Sequence, residues 1–75
     1  MKKIEVFTGS CRLCEGAVAL VDKVADKSRF DVDVLSIDGD RAKSLGLTAV
    51  PSIVLDGSLL FAGLPTEEDL THALA

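Results

Sequence analysis

Two hydrophobic periodicities alternate along this chain. Residues 3–8, Lys-Ile-Glu-Val-Phe-Thr, are rich in β-branched and aromatic side chains and partly alternate, which predicts a strand. Thr8-Gly9-Ser10 is a turn cluster, and Ser10 is placed to cap a helix. From Cys11 onward Leu13, Ala17, Leu20, Val21 and Val24 recur at helical spacing on one stripe. Arg12, Glu15, Asp22, Lys23 and Asp26 fall largely off it, and the helix is expected to end near Lys27-Ser28. Residues 31–37 return to alternation, with Val32, Val34 and Ser36 on one face and Leu35 and Ile37 on the other. Asp38-Gly39-Asp40 breaks this strand. Residues 41–45 read as a short helix, with Gly46 at the left-handed stop. After a connector, residues 52–55 and 58–62 read as strands joined by Asp56-Gly57, a turn that calls for positive φ at both positions. Gly63-Leu64-Pro65 turns the chain again. Thr66 then caps a last helix, with Glu67, Glu68 and Asp69 at its positive dipole end and Leu70, Ala73 and Leu74 on its buried face.

The resulting order is β-α-β-α-β-β-α, an α/β pattern. The first two strands are far enough apart for a right-handed parallel crossover, and the last two form an antiparallel hairpin. No repeat, low-complexity segment or linker interrupts it, so the 75 residues are read as one domain. Apolar residues make up 48% and charged residues 27%, the balance of a globular chain. The net charge of −4 argues against nucleic acid as a partner, because phosphate binding needs a basic face. No apolar run is long enough to span a bilayer, and no apolar h-region comes after the basic start, so neither a membrane anchor nor a signal peptide is expected. A cytoplasmic monomer is the expectation. Phe7, Phe30 and Phe61 are too scattered for a base-stacking platform and are read as core.

Cys11 and Cys14, with Arg12 and Leu13 between them, are the cysteines of the chain. A disulfide framework for a small secreted domain usually needs more of them, spread more widely. So short a loop also gains little from cross-linking, because the stabilisation grows with loop length. A zinc site wants four ligands, and the lone His72 lies far along the chain. Two chains together could supply four thiolates, which leaves a dimeric zinc or iron–sulfur module as the alternative to redox chemistry by a vicinal dithiol.

A strand ending in Phe7-Thr8, Cys11-Arg12-Leu13-Cys14 opening a helix, and Ala49-Val50-Pro51-Ser52 before a hairpin resemble the thioredoxin/glutaredoxin superfamily, and within it the small glutaredoxin-sized proteins of archaea and bacteria. The tail Phe61-Ala62-Gly63-Leu64-Pro65-Thr66 is similar to theirs as well. The resemblance implies a thioredoxin-like fold, a four-stranded mixed sheet in the order 2-1-3-4 flanked by three helices. It also implies a cis bond between Val50 and Pro51, with the Val50 backbone turned toward an extended substrate segment and Pro51 beside the sulfurs. The activity implied is thiol–disulfide exchange on protein disulfides, with a reductase or glutathione as electron donor and no cofactor beyond the dithiol. The chain departs from the best-known motifs. It has no Trp, Ser10 precedes Cys11, and Arg12 and Leu13 stand where glutaredoxins carry Pro and Tyr.

The residues themselves supply roles. Exchange needs a thiolate to attack a disulfide sulfur. Cys11, at the start of a helix, would meet unpaired N–H groups and the positive dipole end, and Arg12 adds a fixed charge beside it; all three lower a thiol pKa. Cys11 is therefore the expected nucleophile. Cys14, one turn further in and less acidic, is the expected resolving thiol. Arg12 and Leu13 are expected substrate contacts, with Leu13 either core or an apolar contact around the sulfurs, and the resemblance adds Val50 and Pro51 to them. Thioredoxins keep a buried acid six residues before the first cysteine, where Glu5 stands. A proton-transfer role there is weighed against the simpler expectation of a solvated or edge-of-sheet Glu. His72 is expected at the surface.

Overall fold

The computed structural model describes residues 2–10 and 12–75. Strand β1 (Lys2–Thr8) leads to helix α1 (Arg12–Val24), strand β2 (Phe30–Ser36) and helix α2 (Asp40–Leu45). Strands β3 (Ser52–Leu55) and β4 (Ser58–Ala62) form a hairpin, and helix α3 (Glu67–Leu74) closes the order β-α-β-α-β-β-α. The sheet has four strands in the order β2-β1-β3-β4. β1 runs parallel to β2 and antiparallel to β3, and β3 runs antiparallel to β4. This is the thioredoxin-like architecture that the sequence pattern and resemblance led us to expect.

Pairing register decides which side chains share a face. Ile4 lies opposite Val32 and Leu55, and Val6 opposite Val34 and Ile53. Ile4, Val6 and Ile53 pack with Ala17, Val21, Leu70 and Leu74 in one core beneath α1 and α3. Phe7, between Leu35 and Ser52, turns the other way. It joins Val54 and Ala42 of α2 in a second, smaller core, with Leu35, Ile37, Leu45 and Leu47 against it. Residues 4–7 are consequently buried on both faces. That explains why β1 alternates only partly: a strand covered on both sides has no solvent face to mark with polar residues.

The local signals act where they stand in the chain. Gly46 adopts φ 70° and ψ 27°. Its N–H donates to the Lys43 carbonyl and that of Leu47 to the Ala42 carbonyl, which satisfies the last carbonyls of α2. Asp56 and Gly57 both take positive φ, 48° and 83°, matching the turn type read from the sequence. Thr66 Oγ1 accepts the Asp69 N–H at 3.1 Å and caps α3. α1 stops at Val24, earlier than the expected end near Lys27-Ser28. The reason is Asp26, whose Oδ1 accepts both the N–H and the hydroxyl of Ser28, at 2.9 and 2.7 Å, and so favours a turn over another helical one. No helix among the described residues is long and apolar enough to cross a membrane.

Candidate active site

The end of β1 leads into α1, and of the two expected thiols Cys14 stands in the first turn of that helix. Cys11, the expected nucleophile, lies outside the described residues. Cys14 occupies the first turn of α1 and is 3% exposed. It is disulfide-bonded, and its Sγ also accepts the Gly9 N–H at 3.4 Å. A backbone N–H aimed at sulfur stabilises the electron-rich forms that the sulfur passes through when a disulfide opens. Arg12 and Leu13, the residues between the cysteines, are both exposed. Leu13 is 55% exposed, which resolves the two expectations for it against the core.

The connector before β3 comes up beside this junction. A methyl group at Gly9 would stand 3.3 Å from Ile37 Cγ2 and 3.5 Å from Val50 Cγ1, so the backbone of the turn lies close against the Val50 side chain. The Val50–Pro51 bond is cis, in line with the resemblance. Pro51 is buried, Val50 is half-buried, and Ser52 Oγ donates to the Ala49 carbonyl at 2.6 Å. Among the described residues, the Val50 N–H and C=O take no backbone partner. Gly9 and Cys14 on one side and Val50 on the other thus come together.

Leu64 escaped the sequence reading as a functional residue. The Pro51 carbonyl accepts the Gly63 N–H at 2.7 Å, which ties the turn after β4 to the connector. Gly63 takes φ 125°, a conformation open to glycine. Leu64 then reaches over α1, where a methyl at Gly16 would stand 3.7 Å from Leu64 Cδ2. Leu64 remains 43% exposed. Leu13 and Leu64 are thus exposed apolar side chains, one in the first turn of α1 and one against Gly16 of the same helix. The available signal was a bulky apolar residue inside a Gly-Leu-Pro turn.

Glu5 overturns the expectation of a solvated or edge-of-sheet acid. It is 3% exposed and sits on β1, between β2 and β3. Arg41 of α2 grips both carboxylate oxygens, Nε to Oε2 at 2.8 Å and Nη2 to Oε1 at 2.9 Å. The hydrogen bond to Glu5 and its negative charge raise the Arg41 pKa above its ordinary value. The pair lies on the α2 side of the sheet, the side of Phe7. His72 is exposed, as expected.

Comparison with known proteins bears on this arrangement. A family model described as "Thioredoxin domain" matches residues 2–75. A protein of Methanothermobacter marburgensis named "Probable Thioredoxin" is 38% identical over 78 residues, covering 97% of this chain and 92% of its own. A thioredoxin of Methanocaldococcus jannaschii is 38% identical over 77 residues, covering 96% of this chain and 91% of its own. In fold, a mutant thioredoxin from Halobacterium salinarum superimposes with a TM-score of 0.78 at 24% identity, over 97% of this chain and 71% of that one. The chain belongs to the thioredoxin-domain family and is, with it, a thiol–disulfide oxidoreductase.

Proposed function

We propose that the chain reduces protein disulfides through a mixed-disulfide intermediate, with Cys11 as nucleophile and Cys14 as resolving thiol. The Cys11 thiolate attacks one sulfur of the substrate disulfide. A Cys11–substrate disulfide forms, and the other substrate sulfur leaves as a thiolate that takes a proton from solvent. Cys14, deprotonated, then attacks the Cys11 sulfur. The second substrate sulfur leaves in turn, and the domain is left oxidised by two electrons. An electron donor, a reductase or glutathione, restores the dithiol, and no other cofactor is needed. The observation that carries this reading is Cys14 itself, held in the first turn of α1 with a backbone N–H on its sulfur and a second cysteine three residues earlier in the sequence. A spacing of three would bring two thiols at the start of a helix to one face of it.

Substrate contact falls to Arg12, Leu13, Val50 and Pro51. An extended substrate segment pairs with the unengaged backbone of Val50, and its apolar side chains rest on Leu13 and Leu64. The protein works as a monomer in the cytoplasm, where thiols are kept reduced. The test is trapping. Cys14→Ser, mixed with a disulfide-bonded protein substrate, should accumulate a covalent adduct that dithiothreitol releases, whereas Cys11→Ser should form none. An adduct with Cys11→Ser but not with Cys14→Ser would reverse the roles, and none with either would refute the mechanism.

A further inference from the structure

β2 is an outer strand of the sheet, and along it runs a groove of about 360 Å³. The groove lies between β2 and α1, with Val6, Val18, Ala19, Val32 and Val34 among its lining. Val34 is 53% exposed. Hydrogen bonds at the two ends of β2 fix which backbone groups are free. The Arg29 carbonyl accepts the Lys2 N–H at 3.2 Å, and the Ile37 N–H donates to the Thr8 carbonyl at 2.9 Å. In a parallel pair such groups alternate, so odd-numbered residues face β1 and Val32 and Val34 turn their N–H and C=O outward. The residues that line the groove are therefore the same ones that offer an unpaired edge. β2 keeps one register with β1 from Phe30 to Ser36, while the opposite outer strand, β4, is interrupted by a register shift. Bulges commonly end pairing at an edge, and β2 has no such device.

Charge indicates what such an edge would accept. On the face away from the groove β2 carries Asp31 and Asp33. Asp33 is bridged to Lys3 at 2.8 Å, whereas Asp31 makes no ion pair among the described residues. On the groove's rim, Lys27 is held by Asp22 at 2.8 Å, and Glu15 makes no ion pair among the described residues. Arg29, just before the strand, stands over the Phe30 ring at 6.0 Å. A second copy of β2 would set aspartates against aspartates, and like charges directly opposite destabilise a strand pair. A basic strand would meet opposite charge at the same positions.

We propose that the free edge of β2 receives an extended segment of a partner protein in which apolar and basic residues alternate. The segment adds as a fifth strand. Its backbone pairs with Val32 and Val34, its apolar side chains enter the groove, and its basic side chains lie beside Asp31 and Asp33. The mode is strand addition, in which main-chain bonds give affinity and alternate side chains give specificity. It uses neither Cys14 nor Val50 and is independent of the redox reading.

The test uses a capped synthetic peptide of alternating Lys and Val, with a scrambled peptide of the same composition as control, monitored by NMR and amide exchange. The alternating peptide should slow exchange at the Val32 and Val34 amides. Val34→Asp, at a half-exposed position and checked for an unchanged spectrum elsewhere, should abolish that binding without altering disulfide reduction. Asp31→Lys should weaken it about tenfold, from reversal of one cross-strand charge pair. Equal binding of the scrambled peptide, undiminished binding by Val34→Asp, or no slowing at Val32 and Val34 would overturn the proposal. Slowing at those amides that grows with protein concentration and needs no peptide would also overturn it, because the occupant would then be a second copy.

Discussion

Arg41 reaches from α2 to clasp both oxygens of the Glu5 carboxylate, at 2.8 and 2.9 Å, so an acid in the middle of the sheet is buried as half of an ion pair. Removing one member of such a pair leaves a charge in a low-dielectric setting with nothing to offset it. Arg41→Ala should therefore lower the urea midpoint well beyond the effect of Lys23→Ala, whose exposed bridge to Glu67 contributes little. Because much of the cost comes from the orphaned carboxylate, adding Glu5→Gln to Arg41→Ala should recover part of the loss. Equal midpoints for Arg41→Ala and Lys23→Ala would show that the pair does not stabilise the fold.

The turn at Gly9 leaves little room beside Val50 and Ile37. Gly9→Ala should cost about 1 kcal/mol of stability, the low end for overpacking. It should also slow reduction of protein disulfides, since the Val50 side chain must shift. Unchanged kinetics with a displaced Val50 resonance would separate Val50 from substrate contact.

Leu13 and Leu64 are exposed, and their replacement by Ser should change stability by no more than about 0.5 kcal/mol. As apolar rests for a substrate chain they should matter to KM. The double variant should raise KM for a protein disulfide roughly tenfold, about 1.4 kcal/mol of lost contact, and leave reduction of a small aromatic disulfide nearly unaltered. An equal effect on both substrates would contradict this role.

Asp26 gives stability an acid dependence. Its hydrogen bonds from the Ser28 hydroxyl and N–H hold the carboxyl below 3.8, the ordinary aspartic value. A group whose pKa is depressed on folding stabilises the fold above its unfolded value, and that contribution fades as pH falls through the folded one. The Asp26 contribution should thus be complete above pH 3.8 and decline below it. Asp26→Asn should lower stability at neutral pH and flatten the acid limb of the stability curve. Parallel curves for the two proteins would contradict the assignment.

Much of the fold was legible in the chain. Gly46, Asp56-Gly57 and Thr66 each announce a local conformation through backbone chemistry, and each adopts it. Their effect depends on neighbours in sequence, which a sequence displays. Glu5 and Arg41 are 36 positions apart, and their meeting depends on where α2 settles over the sheet. Alternation could not reveal it, because β1 is covered on both faces. Leu13 shares helical spacing with Ala17 and Val21 and so reads as core, yet in the first turn of α1 it is Cys14 that is buried and Leu13 that is exposed. Leu64 became legible as part of the site once Gly63 was tied to the Pro51 carbonyl, a contact between loops that no local pattern encodes.

Two thiols divide the labour of exchange, and differential alkylation tests that division most directly. The reduced protein is treated with a small excess of iodoacetamide at neutral pH, and the labelled positions are tracked in time by peptide mass spectrometry. Cys11 should be modified far faster than Cys14, which is buried in the first turn of α1. Equal rates, or faster labelling of Cys14, would contradict the assignment of nucleophile and resolving thiol.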